Sequence, residues 1–346
     1  MLPEIIHKGI RRAKHWRNLA WIRLRRFREA VTDPRGRLVP GSSDYDLHSR
    51  KEKKHYKEMY AGDPSLLFEP EPPAWLEVER RTQSLIQEAT GNDLTGHLLS
   101  RLTERGGVRM LSLGSGPGGV ELMLAGEARD CRIRCIDFND DLLSLGRARA
   151  GEQGLNHVQF QQADLNNVLL PEGAFDLVFC HASLHHVVNL EGLAAEIRKT
   201  LRPGGELVVV DVVARNGYRM WPETRRVVQA IWATLPQRFR VNHTAYGEKR
   251  LDRRIWDGGT DHEGMECIRS GDLLGILDAG FERVCLVPYC AMCRRFFNTM
   301  YGWNYDLEQE LDRAVLNWIW GLDRQMVSSG QLQGENIFGV YRPRQG

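Results

Sequence analysis

The sequence has no apolar run of the length needed to cross a bilayer. Its first residues, Met1-Leu2-Pro3-Glu4-Ile5-Ile6, lack the apolar core and small-residue cleavage site of a secretory signal. Net charge is only +2 over 346 residues, too little for a polycation built to hold nucleic acid. The seven cysteines are scattered and odd in number, which argues against a disulfide framework. No metal-ligand spacing stands out: Cys290-x-x-Cys293 lacks a second pair and reads as two buried thiols. Internal repeats and low-complexity tracts are missing too. These absences leave a folded chain in a reducing, cytoplasmic compartment. It is long enough for one large α/β core with appendages or for two modest domains.

The small net charge hides an uneven distribution. Ile6, Ile10, Ala13, Trp16, Ala20, Leu24, Phe27 and Val31 recur at three- and four-residue steps, with Lys8, Arg11, Arg12, Arg17, Arg23 and Arg26 between them. That spacing predicts a basic amphipathic helix over 5–31. Its apolar stripe suits the catalytic domain or a second subunit of a homodimer, an anionic membrane surface, or RNA phosphates with a steep salt dependence. Asp33-Pro34-Arg35-Gly36 ends it, and a second basic helical piece follows at 48–60. We read 1–60 as a helical extension. Residues 61–106 are then a linker through Glu69-Pro70-Glu71-Pro72-Pro73 and a helical cap from Trp75 to about Arg105.

From Val108 the texture changes. Short apolar runs at Arg109–Leu113, Arg132–Ile136, Val158–Gln161, Leu177–Cys180 and Glu206–Val212 alternate with helical patterns at Gly119–Gly126, Asp140–Gly151 and Leu190–Leu201. This is the pattern of a doubly wound α/β fold with a parallel sheet, assigned to residues 107–214. The alternation stops over 215–268, a segment rich in Arg, Trp and His. It resumes over 269–346 with a helix at Ser270–Ala279, a strand at Phe281–Val287, a helical stretch around Leu307–Met326 and a last strand at Ile337–Tyr341.

The first strand runs into Gly114-Ser115-Gly116-Pro117-Gly118-Gly119 and then into a helix. Glycines there permit positive φ and close approach of a ligand, and the helix offers free N–H groups. The same residues satisfy the dinucleotide pattern G-x-G-x-x-G. Two carboxylates narrow the choice. Asp137 ends the second strand, about 20 residues on, where it can accept both ribose hydroxyls. Asp164 follows the third strand, where it can accept an adenine amino proton. In words, Ser112-Leu113-Gly114-Ser115-Gly116-Pro117-Gly118, Cys135-Ile136-Asp137-Phe138, Phe175–Val187 and Leu201-Arg202-Pro203-Gly204-Gly205 resemble the motifs of the class I S-adenosylmethionine-dependent methyltransferases. The likeness covers about Val108–Val213 and returns at Leu277–Phe281 and Ile337–Tyr341. It implies a Rossmann-like methyltransferase with a seven-stranded, mostly parallel sheet whose last strand is antiparallel. It further implies S-adenosylmethionine as cofactor and S-adenosylhomocysteine as product, held by Ser112, Gly114, Ser115, Gly116, Gly118, Asp137, Phe138, Asp164, Leu165 and His181. A nicotinamide enzyme needs neither Asp164 nor the terminal antiparallel strand. One departure is Ser112, where the family often carries an acid; serine cannot neutralise the cofactor's ammonium group.

Methyl transfer from a sulfonium needs alignment above all. A hydroxyl acceptor also benefits from a general base. The Asn/Asp-Pro-Pro-Tyr signature with which the family grips amino groups of bases is replaced by Cys180-His181-Ala182-Ser183-Leu184-His185-His186, which disfavours nucleic-acid substrates. His185 and His186, with His181, are candidates for base or acceptor contact at the sheet's carboxyl edge; the alternative is that the segment only shapes a helix start. Residues 215–268 follow the fifth strand, where relatives place a substrate lid; a structural cap over the core is the other reading, and the two are compatible. Tyr218, Trp221, His243, Tyr246 and His262 there suit a sugar or another small ring. Asp261–Ser270 resembles a segment of methyltransferases from bacterial cell-surface glycan clusters. The expected activity is methylation of a hydroxyl on a small molecule or saccharide. N- or C-methylation of a metabolite or peptide stays open, as does a non-catalytic cofactor-binding partner subunit.

Overall fold

Side chains that alternate across the pleat place the core on both faces of one sheet. In β1 (Arg109–Leu113) Leu111 and Leu113 pack on one side and Met110 on the other, the period of two that a strand imposes. The computed structural model describes residues 38–60, 71–244, 249–258 and 264–344. The basic segment 5–31 lies outside them, as do Tyr246, Asp261 and His262.

Along the chain come α1 (Ser43–Tyr60), α2 (Pro73–Thr90), α3 (Leu94–Thr103), β1, α4 (Gly119–Glu127), β2 (Arg132–Asp137), α5 (Asp140–Glu152), β3 (Val158–Gln162) and β4 (Phe175–His181). Then follow α6 (Leu190–Thr200), β5 (Leu201–Val212), α7 (Pro222–Thr234), the short strands β6 (Val241–Asn242) and β7 (Arg250–Leu251), α8 (Ser270–Gly280), β8 (Phe281–Tyr289), α9 (Cys293–Phe297), α10 (Glu310–Ser328) and β9 (Asn336–Pro343). Among the described residues one seven-stranded sheet runs β3-β2-β1-β4-β5-β9-β8. The first five pair in parallel, and β9 is antiparallel to both neighbours. Strand order reverses between β1 and β4, which opens a crevice at their carboxyl ends. Helices α6 and α8 cover one face through Leu193, Ile197, Leu273 and Leu277, while α3 and α4 cover the other through Leu98, Leu102, Leu122 and Leu124.

Two expectations need correction. The helix expected from Trp75 to Arg105 is two helices. Gly91, at φ 84°, closes α2 in the left-handed region, and the Asp93 side chain starts α3 by accepting from Gly96 N at 2.7 Å. Pro73, read as the end of a linker, instead opens α2 at a position where a missing N–H costs nothing. For 215–268, where a substrate lid and a structural cap are both open from the sequence, the packing supports the cap. Met220, Val228, Trp232, Phe239 and Ile255 interdigitate with Ala74 and Val78 of α2, Phe296 and Phe297 of α9, and Leu316 and Ile319 of α10. Its stretch from Met220 to Ile255 contributes to the core of a helical body beside the sheet.

Candidate active site

The glycine turn is tied down before any ligand arrives. Gly114 N and Ser115 N both donate to Ile136 O, at 2.7 and 3.2 Å, locking the end of β1 to β2. Gly114, Gly116 and Gly118 have φ of 70°, 54° and 74°. A Cβ on Gly114 would meet the Ser183 Cβ at 2.3 Å, whereas one on Gly116 would meet only Leu142 Cδ1 at 3.9 Å. The first glycine lets the loop after β4 pack; the second keeps backbone open to the crevice. Asp137 accepts from Gly116 N at 2.9 Å and from Asn139 N at 2.8 Å, and its burial raises the carboxyl above its ordinary value. Asp164 accepts from Asn166 N at 2.9 Å. Its other oxygen accepts from the Tyr45 hydroxyl at 2.5 Å, a contact the sequence did not suggest. Phe138 is partly exposed with Lys53 Nζ 5.3 Å from its ring, and Leu165 is buried in the core beneath.

Ser112 does not stand alone. Its hydroxyl donates to Glu121 Oε1 at 2.5 Å, so the first turn of α4 brings a carboxylate to the place where the strand has none. Burial pushes the Glu121 carboxyl up. A cation entering beside it would favour the ionised form.

The histidines form two carboxylate–imidazole pairs set back to back. Asp211, near the end of β5, holds the loop after β4: it accepts from Ser183 N (3.0 Å), Leu184 N (2.7 Å) and Val212 N (2.7 Å). Its Oδ1 is 2.6 Å from His185 Nδ1. Glu52 of α1 lies 2.6 Å from His186 Nδ1 and accepts from Met265 N at 2.7 Å. The two rings are 4.1 Å apart, and Glu266 reaches both, at 3.6 Å from His185 Nε2 and 3.4 Å from His186 Nε2. The Tyr56 hydroxyl is 3.2 Å from His186 Nε2. Burial alone would depress His185, but attraction by Asp211 and Glu266 overrides it and the imidazole is pushed up to about 10. Burial raises Asp211 and Glu266, yet the imidazoles outweigh it and hold both below the carboxylate range. His185 is therefore a cation at neutral pH and cannot accept a proton there. His181 is exposed at the end of β4, stacked on Phe179 at 5.8 Å.

Donor atoms of His185, Glu266 and Cys267 lie within 4.8 Å of one another, a set that takes a cation only if His185 first gives up its proton, and the sequence shows no ligand spacing for one. Cys290 and Cys293 are buried free thiols, as expected. Of the ring-binding candidates, Tyr218 is buried against Arg294, Arg295 and Trp256 rather than displayed to solvent. Trp221 precedes α7 as its N-cap. His243 is drawn into the helical body, with Nε2 2.9 Å from Asn304 Oδ1 and its backbone N on Met300 O. Neither joins the paired histidines, because β6 and Asn304 hold the backbone elsewhere. The residues that sequence reading missed are Tyr45, Glu52, Tyr56, Glu121, Asp211 and Glu266. Tyr45, Glu52 and Tyr56 fall on one helix face at steps of seven and four, a signal that was legible.

Residues 111–209 match the family described as a methyltransferase domain. Over 108 residues the chain is 33% identical to the demethylmenaquinone methyltransferase of Thermus thermophilus, which is 31% of this chain and 49% of that protein. Over 127 residues it is 31% identical to the 27-O-demethylrifamycin SV methyltransferase of Amycolatopsis mediterranei, 36% of this chain and 46% of that one. The chain thus spans about half the length of the curated relatives it matches. An S-adenosylmethionine-dependent methyltransferase structure from Mesorhizobium loti aligns with a TM-score of 0.42 and 20% identity, over 71% of this chain and 96% of that one. Residues 111–209, which hold the glycine turn and both acidic strand ends, thus match a methyltransferase domain, and over this stretch the chain is similar to S-adenosylmethionine-dependent methyltransferases.

Proposed function

We propose that the protein transfers a methyl group from S-adenosylmethionine to a hydroxyl of a small molecule or saccharide, with His186 as the general base. The crevice fits that cofactor: Gly116 leaves its backbone open, and Asp137, Asp164 and Glu121 offer carboxylates for ribose hydroxyls, adenine amino group and ammonium. Ser115, Gly118, Phe138, Leu165 and His181 are the further cofactor contacts that this reading expects. When bound, the sulfonium supplies a methyl group that is already activated, so alignment dominates. Ser112, the departure that favoured a non-catalytic cofactor-binding subunit, loses that force beside Glu121.

The observation that carries the reading is the pairing of Glu52 with His186 Nδ1. On this reading the carboxylate beside Nδ1 favours a proton on that nitrogen, and an acceptor hydroxyl takes the place of the Tyr56 hydroxyl at Nε2, now 3.2 Å away, and gives its proton there. Glu266 stays ionised beside both rings, and cationic His185 balances its charge. His186→Gln should lower kcat by roughly 10²–10⁴-fold, the usual worth of a positioned base, with S-adenosylhomocysteine affinity by calorimetry unchanged. Full turnover in this variant would reject His186 as base.

Two similar proteins favour a second reading, since one is named as a demethylmenaquinone methyltransferase and another as a ubiquinone/menaquinone C-methyltransferase. Methylating a carbon beside a phenolic hydroxyl also begins with loss of that proton, so the same base serves. Mass spectrometry of the product separates an ether from a ring methyl.

A further inference from the structure

Beyond the histidines lies a second constellation that methyl transfer does not use. Four non-glycine residues have left-handed backbone among the described residues, and three of them, Tyr218 (φ 57°), Cys267 (φ 48°) and Cys290 (φ 51°), gather around Arg294. Strained backbone of this kind persists where the surroundings impose it, and it concentrates at binding sites. The Arg294 guanidinium lies between the Trp75 ring at 5.7 Å and the Tyr218 ring at 5.1 Å. Among the described residues it makes one hydrogen bond, to the neutral Asn336 Oδ1 at 3.2 Å. Glu79, Glu266 and Glu335 are the carboxylates whose fields reach it, yet it forms no ion pair with any of them. Its neighbour Arg295 is matched, with Nε and Nη2 on Glu335 Oε2 at 3.0 and 2.6 Å.

The walls carry unmet polar atoms as well. The Tyr218 hydroxyl, Arg295 Nη1 and Glu335 Oε1 are buried with no hydrogen-bond partner among the described residues, and the side chains of Arg295 and Glu335 are each 1% exposed. Buried polar groups are nearly always satisfied, so a cluster of orphans marks a place where a ligand or water completes the set. Burial pushes the Tyr218 phenol up to about 12, so it stays protonated and donates. The constellation adjoins the base: Gly217 N donates to Cys267 O at 2.9 Å, and Cys267 Sγ is 3.4 Å from the Glu266 carboxylate that touches both histidines.

We propose that Arg294 and Tyr218 form an oxyanion subsite, so that the acceptor carries a carboxylate or a phosphate held here while its hydroxyl faces His186. A planar guanidinium with aromatic walls and donors to spare suits a delocalised anion, which it can grip with two parallel hydrogen bonds. The subsite rests on the methyl-transfer reading and narrows its substrate to acidic molecules.

Calorimetry tests it with inorganic phosphate and with acetate at constant ionic strength. Each is titrated into the whole protein alone and after loading with S-adenosylhomocysteine. One anion should bind the native protein, with affinity falling at least tenfold in Arg294→Gln and several-fold in Tyr218→Phe, which keeps the ring. Arg294→Lys, which keeps the charge but not the fork, should fall between native and Arg294→Gln. Binding of phosphate alone names a phosphoryl acceptor, and binding of acetate alone a carboxylate. Neither anion binding, or Arg294→Gln binding as native, overturns the subsite. Protein that takes up S-adenosylhomocysteine but no anion loses only this subsite. Protein that takes up no S-adenosylhomocysteine loses the methyl-transfer reading, while the titration without it still decides the subsite.

Discussion

At the residue scale the decisive fact is the charge on His185. Both its nitrogens face carboxylates, and its pKa is pushed from 6.5 to about 10, so folding binds the proton more tightly than the unfolded chain does. This stabilisation is complete below 6.5 and is lost as pH rises through about 10. Asp211 and Glu266 are held low, so their share is present above the ordinary carboxylate range and is lost as pH falls through their lowered values. The native protein should therefore lose thermal midpoint between pH 7 and 10 more steeply than His185→Gln, read by calorimetric scans of both. Parallel curves would show that the Asp211–His185 pair does not titrate as described. Sequence alone showed two adjacent histidines at a sheet edge. It did not show that one would be charged at neutral pH, because Asp211 and Glu266 lie 26 and about 80 residues away and reach His185 only through the fold.

At the element scale α1 alters the picture most. The sequence reads 48–60 as part of a basic extension, yet its face carries Tyr45 to Asp164 and Glu52 to His186 and Met265 N. The helix lies across the crevice mouth with its tethers on the groups expected to meet cofactor and acceptor. Removing two tethers in Tyr45→Phe with Glu52→Gln should speed amide exchange of α1 at least tenfold relative to α6, measured by hydrogen–deuterium exchange. Equal protection would mean that apolar contacts, such as Tyr45 with Val188, Met265 and Ile268, hold it unaided. The strands were legible to within a few residues because each is an apolar run bounded by polar turns. The break between α2 and α3 was less so, since one glycine in a helical pattern reads as tolerated until the following aspartate is seen to cap.

At the scale of the whole molecule two apolar bodies share one chain. One is the sheet with its covering helices; the other is built from α2, α7, α9 and α10 around Trp232, which is fully buried and donates to Asp252 O at 3.3 Å. Trp232→Ala should cost about 3–5 kcal/mol, read as a lower urea midpoint with tryptophan loss controlled by Trp232→Phe. An unchanged midpoint would show that this body does not contribute to global stability. Among the described residues no helix is long and apolar enough to cross a membrane. The basic periodicity of 5–31 lies outside those residues, and of its three readings (packing on this or a second chain, an anionic membrane, RNA) the membrane one requires flotation of the full chain with anionic vesicles but not of a chain lacking 1–35. Failure of both to float removes the membrane option.

The sequence by itself determined the fold class, the position of the glycine turn and the acidic strand ends Asp137 and Asp164. These are local features: hydrophobic period, turn chemistry and spacing are written in consecutive residues. Only the tertiary structure decided which acid meets which histidine, where the missing carboxylate beside Ser112 comes from, and that the stretch from Met220 to Ile255 contributes to a core. Each of these joins segments far apart in the chain, and a contact closed by folding leaves no periodic trace in the residues that make it.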